Sequence, residues 1–184
     1  MPRAQSDTKA EIRDVAMELF GRQGYERTSL REIAERLGIT KAALYYHYPS
    51  KRDLLVALVD PLVLEAERLL ERHSGGVGAE DLLGEYFDLC VRHRGLLAAV
   101  LNDVTALSES GLVESVASVR RRLDALLVGV APDTPAKMGA VIALGGIQDI
   151  AVMLPAREAA EHRARAVQIA MAALRSGTAP GHTD

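Results

Sequence analysis

The chain has 184 residues, 48% hydrophobic and 26% charged, which suits a globular protein with a sizeable core in one domain or two small ones. A net charge of -3 speaks against a nucleic-acid partner for the chain as a whole, but the charge is uneven: residues 1–52 carry 10 Lys and Arg against 7 Asp and Glu, and residues 53–184 carry 12 against 18. Phosphate contacts are therefore expected only in the first quarter, and a single Cys excludes an internal disulfide framework and points to a reducing compartment.

The start, MPRAQSDTKAEIRD, has no apolar segment of the kind a secretory leader carries. No apolar run reaches the roughly 18 residues of a membrane span, so no membrane partner is expected. Apolar residues at Ile12, Val15, Ala16, Leu19 and Phe20 fall on one face of a helix that Gly21 and Gly24 end, with Gly24 suited to a left-handed conformation. Leu30, Ile33, Ala34 and Leu37 form a second face. Its cap is Thr28 or Ser29, and with Ser29 as cap Glu32 completes a capping box. Gly38 stops this helix, and Thr40 caps a third that carries Leu44 and Tyr48.

A fourth helix starts near Ser50 with the face Leu54, Leu55, Leu58, Val59, Leu62, Ala66, Leu69 and Leu70. Pro61 lies within it, and the missing donor predicts a kink or break near Val59 to Pro61. After the loop HSGGVG come stripes at Leu82 to Val91, Leu96 to Val104 and Val116 to Val130. Thr134 then reads as an N-cap followed by Pro135 at the first helical position. The helix from Ala136 to Leu154 is apolar nearly all round, which predicts burial on most sides. A last helix is expected from Ala156 to Arg175, and the tail 176–184 is expected to be disordered. With no strand alternation and no repeat, the fold class is all-α, about nine helices, divided as 1–50 and 51–175.

The two short helices around Gly38 match helix-turn-helix spacing. Thr40, Lys41, Ala42 and Ala43 open the second helix; the small residues allow its backbone to approach base edges, and Lys41 can reach a phosphate or a guanine. Tyr45 and Tyr46 can donate to phosphate or pack on a thymine methyl. Three tyrosines crowd Tyr45 to Tyr48 in a chain with five Tyr, two Phe and no Trp. On these two helices alone, a hairpin inside an ordinary helical core remains the competing reading.

The run TSLREIAERLGITKAALYYHYPSKRDLL, Thr28 to Leu55, and AMELFGRQGYERTSL before it, closely resemble the DNA-binding signature of the TetR/AcrR family of bacterial transcriptional regulators. The resemblance covers about Thr8 to Leu55. It implies that Thr28, Ser29 and Arg31 meet phosphate at a helix N-terminus. It also implies that Thr40, Lys41, Ala42, Ala43, Tyr45 and Tyr46 read bases and backbone, that His47 lies on the phosphate side, and that Lys51 anchors a phosphate. Tyr48 would pack inward. It further implies a cytoplasmic, ligand-responsive regulator, most often a repressor, that binds a palindromic operator as a homodimer. The second domain would bind a small-molecule effector and dimerise through its last two long helices.

Under that plan the effector candidates are Tyr86, Cys90, His93, Asn102, Asp103, Met138, Ile142 and Gln148. The dimer candidates are Gly145, Gly146, Ile147, Ile150 and Ala151, with Ala166, Ile169, Ala170 and Ala173. Pro61 is a candidate hinge between the domains. The rival is a small-molecule-binding or interaction bundle whose DNA contacts are non-specific. Arg120, Arg121 and Arg122 cannot all face one site, because helix neighbours diverge by about 100°. The five His and one Cys show no metal spacing, and nothing suggests a nucleophile-base pair or a phosphate loop, so neither metal, cofactor nor catalysis is expected.

Overall fold

Ten α-helices and no strand make up the described residues of the computed structural model, which are 5–76, 78–102 and 112–178. They are α1 Gln5–Gln23, α2 Leu30–Leu37, α3 Lys41–His47, α4 Lys51–His73, α5 Ala79–Arg92, α6 Arg94–Asn102, α7 Val113–Val128, α8 Thr134–Met153, α9 Ala156–Glu161 and α10 Arg163–Thr178. The all-α expectation holds. The helix expected over Ala156 to Arg175 is two helices, because the chain leaves helical geometry at His162 (φ -103°, ψ 11°). Beyond the turn, Arg163 grips Asp88 of α5 with Nε and Nη2 at 2.7 and 2.8 Å, which fixes where α10 starts.

The chain divides into two units. The first takes Met1–Leu62 and Gly95–Ser115, the second Val63–Arg94 and Val116–Asp184. In the first, Ile12, Ala16, Leu19 and Phe20 of α1 are buried and α2 packs against α1 through Leu30, Ile33 and Ala34. Tyr25 meets Phe20 edge-on at 5.2 Å. Gly24 and Gly38 adopt φ of 87° and 66°, so both helix ends turn through the left-handed region that a side chain disfavours.

α4 is one helix from Lys51 to His73 with Pro61 inside it, so of the expected kink or break the break is ruled out. Leu54, Leu55, Leu58 and Val59 before it, and Ala66, Leu69 and Leu70 after it, are buried. At about 1.5–3 kcal/mol for each large side chain, that burial outweighs the roughly 3 kcal/mol of an interior proline. The division between the units falls just after Pro61, at Leu62 and Val63.

In the second unit, α8 packs closely on α10, and α5 packs on both. The buried stripe of α8 is Ala136, Gly139, Ala140, Ala143, Leu144, Ile147 and Ala151. It meets Ala166, Val167, Ala170, Leu174 and Gly177 of α10. Small residues on both sides bring the backbones together: a Cβ on Gly139 would stand 2.9 Å from the Ala173 carbonyl oxygen. Gly177 belongs to this seam, so α10 continues to Thr178, past the expected Arg175; residues 179–184 lie outside the described residues.

The other face of α8 is not buried. Met138, Val141, Ile142 and Met153 are 57–78% exposed, and Ile169 of α10 is 54% exposed. The expected burial on most sides is thus half wrong: one face is spent on α5 and α10 and the other is bare. The expectation that no run reaches membrane length is also corrected. Thr134–Met153, 20 residues at mean hydropathy 1.4, passes by length and composition, as the core helix of a soluble bundle also does. The N-cap of α8 is Asp133, whose Oδ1 accepts from the Ala136 amide at 2.9 Å, one residue before the expected Thr134.

Two similar clamps join α4 to α5. Arg72 Nε donates to Glu85 Oε2 at 3.0 Å, and His73 Nε2 lies 3.2 Å from Glu85 Oε1. In the reverse direction, Arg92 Nε donates to Glu65 Oε2 at 3.1 Å, and His93 Nε2 lies 3.1 Å from Glu65 Oε1. The Arg72 hydrogen bond, followed by that of His73, holds the Glu85 carboxyl below the usual carboxylate value against the effect of burial. Burial opposes ionisation of Glu65, but its His93 and Arg92 partners outweigh that and lower it as well.

Candidate nucleic-acid interface

The reading helix is presented by a capped turn. The amide of Gly38 donates to the Glu35 carbonyl at 3.2 Å and that of Ile39 to Ala34 at 3.0 Å. Thr40, extended at φ -72° and ψ 150°, then accepts the Ala43 amide on Oγ1 at 3.1 Å. Leu44, fully buried, is the inward side chain of α3, and Tyr48 closes it with 5% exposure. Burial raises the pKa of the Tyr48 hydroxyl, with the nearby Arg13 acting in the opposite sense.

The outward side carries the predicted readers together. Thr40, Lys41 and Ala42 are exposed, Ala43 and His47 are half-buried, and Tyr45 and Tyr46 are 50% and 74% exposed. Tyr46 stands edge-on to His47 with ring centroids 5.4 Å apart. Large aromatic faces left in water on a short helix are costly unless a partner covers them. The combination of hydroxyl donors, one ammonium, small residues and aromatic rings suits contact with a nucleic-acid groove.

At the N-terminus of α2, Ser29 is the cap and accepts the Glu32 amide on Oγ at 3.1 Å. The expected capping box is half present. The Glu32 carboxylate takes Gln23 Nε2 at 2.9 and 3.0 Å, so Gln23, which the sequence reading passed over, links α1 to α2. Arg31 is exposed, and its Nε donates to Glu35 Oε1 at 2.6 Å, which raises its pKa.

Two expected phosphate contacts are otherwise engaged. Thr28 is 2% exposed; its hydroxyl donates to the Gly24 carbonyl at 2.9 Å and its amide to Tyr25 at 3.1 Å. Both of its donors are spent on the turn between α1 and α2, so Thr28 shapes that turn instead of facing outward. Lys51 Nζ donates to the carbonyls of Tyr25 and Glu26 at 2.9 and 3.4 Å and lies 4.1 Å from the centroid of the Tyr25 ring.

The effector candidates separate. Tyr86 and Cys90 are buried, and Tyr86 Oη donates to Gln148 Oε1 at 3.3 Å. Burial pushes the Cys90 thiol up to about 12, against the opposing influence of the Tyr86 hydroxyl and the charge of Arg120. Burial, then Cys90, raises Tyr86 well above the usual phenol value. Arg120 Nε pairs with Asp124 Oδ1 at 3.3 Å beside them, two residues not among the candidates although their i, i+4 spacing was visible. Arg122 instead pairs with Glu67 of α4, so the basic triplet does diverge.

Met138 and Ile142 face outward from α8 and cannot line an interior pocket of the same bundle, which corrects both. His93 belongs to the Glu65 clamp. The side chain of Asn102, and Asp103 entirely, lie outside the described residues. Of the dimer candidates, Ile147, Ala151, Ala166 and Ala170 are buried within the protomer and are corrected, because they form the seam between α8 and α10. Gly145, Gly146, Ile150 and Ala173 are half-buried and Ile169 is exposed.

Residues 12–58 match the family model described as bacterial regulatory proteins, tetR family. The HTH-type transcriptional regulator TtgR of Pseudomonas putida is 37% identical over 98 residues, 53% of this chain and 43% of that protein. The biofilm operon icaADBC HTH-type negative transcriptional regulator IcaR of Staphylococcus aureus is 46% identical over 46 residues, 25% of each. The chain thus aligns with less than half the length of either curated relative. The crystal structure of the TetR family transcriptional regulator PfmR from Thermus thermophilus superposes with a TM-score of 0.67 at 20% identity, covering 90% of this chain and 97% of that one, and shows the same fold.

Proposed function

We propose that the chain, whose residues 12–58 match the tetR family model, is a homodimeric repressor that binds a palindromic operator and is released by a small-molecule effector. The observation that carries the reading is the outward face of α3. In a chain with 4% aromatic residues, it leaves Tyr45 and Tyr46 half and three-quarters exposed beside Thr40 and Lys41. The sign of regulation is taken from the relative whose name calls it a negative regulator. Acting on DNA in a bacterium, the protein would work in the cytoplasm, without a catalytic step.

The bare faces of α8 and α10 support a second copy as partner. Met138, Val141, Ile142, Met153 and Ile169 together form the kind of apolar surface that a monomer seldom leaves in water. A two-fold dimer of this kind would read half-sites one DNA turn, about 34–36 Å, apart. Tyr86, Gln148, Cys90, Arg120 and Asp124 supply the polar groups for an effector in the second unit.

The test is selection of bound fragments from a random duplex pool at physiological salt. A palindrome with half-sites one turn apart supports a dimeric, specific regulator. Enrichment without a motif reflects phosphate attraction alone and favours the rival, an interaction bundle with non-specific DNA contacts.

A further inference from the structure

We propose that Lys51 is a positioning residue for DNA binding and not a phosphate contact, an inference that rests on the DNA-binding reading above. An ammonium has three donors. Two of those of Lys51 meet the carbonyl oxygens of Tyr25 and Glu26, and the charge rests 4.1 Å from the centroid of the Tyr25 ring. That ring is 5% exposed and packs on Phe20, so the charge of Lys51 is tied to the core of the first unit.

The bonds join residues 25 and 26 positions apart and fasten the start of α4 to the turn between α1 and α2. That turn determines the start of α2. Gly24 is left-handed, Thr28 donates back to Gly24, and Ser29 immediately after caps α2. The N-terminus of α2, with Ser29 and Arg31, is where the helix dipole and amides would meet a phosphate. Lys51 thus holds the frame of that contact from behind. Lys41 differs: it is exposed, makes no hydrogen bond or ion pair among the described residues, and is the lysine available to DNA.

The two roles separate in the salt dependence of binding, because each phosphate neutralised adds about 0.9 to the slope of log K against log salt. The assay uses the full chain and the duplex enriched by the selection above, with Lys51→Met, Lys51→Gln and Lys41→Ala. Lys51→Gln keeps a donor for the two carbonyls without the charge, and serves if Lys51→Met does not fold. Under the positioning role, Lys51→Met binds at least about tenfold more weakly at a temperature where it is fully folded. Its slope is unchanged, Lys51→Gln recovers part of the affinity, and Lys41→Ala lowers the slope by about one. Hydrogen exchange on the free variant should show lost protection confined to residues 24–31.

A slope reduced by about one in Lys51→Gln, with 24–31 as protected as in the parent, overturns the inference and makes Lys51 a phosphate contact. If the parent enriches no duplex, the DNA-binding reading fails separately. Unchanged exchange at 24–31 in Lys51→Met then overturns the positioning role as well.

Discussion

Replacing Gly139 with Ala sets two effects of similar size against each other. Alanine is favoured over glycine in a helix interior by about 1 kcal/mol. The added Cβ, however, would stand 2.9 Å from the Ala173 carbonyl oxygen and 3.3 Å from the α-carbons of Gly177 and Leu174. All three are backbone atoms, so relief requires α10 to move away from α8 along a seam that also buries Ala140, Ala143, Ala166 and Ala170. Overpacking of this kind costs about 1–3 kcal/mol. The net expectation is a loss near 1 kcal/mol, or a Tm lower by roughly 2–4 °C for a chain of this size. Gly21→Ala is the control: nothing lies within 4 Å of its added Cβ, so only the helix preference acts and Tm should rise. Thermal unfolding by circular dichroism, at equal protein concentration, reads both. If Gly139→Ala raises Tm as Gly21→Ala does, the seam is looser than described and the close-approach reasoning is refuted.

Other outcomes follow from the same geometry. Tyr46→Ala should leave stability within about 1 kcal/mol, since the ring is 74% exposed, but weaken operator binding in a gel-shift titration; unaltered affinity would remove Tyr46 from the interface. Ile142→Glu should convert the dimer to monomer in sedimentation at micromolar concentration; a monomeric parent would sink the dimer reading itself. The lowered carboxyls of Glu65 and Glu85 stabilise the fold above the unfolded carboxylate value of about 4.3, and that contribution disappears as pH falls through their folded values. Both are partly exposed, so the effect is small. The urea midpoint should fall from pH 5 to pH 3, and Glu65→Gln with Glu85→Gln should flatten that fall; an equal slope in both proteins would argue against the clamps.

The helical faces were legible because apolar spacing survives any tertiary arrangement. Leu30, Ile33, Ala34 and Leu44 were all placed correctly, and Gly24 and Gly38 announced their own left-handed turns. Side-chain allegiances were not. Thr28 and Lys51 look like surface donors in a linear motif, yet both turn to carbonyls of the α1–α2 turn, and periodicity says nothing about which carbonyl a donor finds. The apolar surplus of α8 pointed to burial, but which face meets its own chain and which stays bare is decided by the small residues opposite it on α10. Met138 and Ile142 were misplaced for that reason.

The pairing of α4 with α5 has a mechanical consequence. Each helix carries a glutamate followed by an Arg-His pair at or just past its end, in the same order along the chain, so antiparallel pairing sets Glu65 against Arg92 and His93, and Glu85 against Arg72 and His73. A slide of one helix along the other by a turn, about 5.4 Å, separates all four contacts together. A small pivot about a point midway between the clamps changes them by slight and opposite amounts. The two clamps thus key the helices against translation, and of the two displacements they oppose sliding more than rocking.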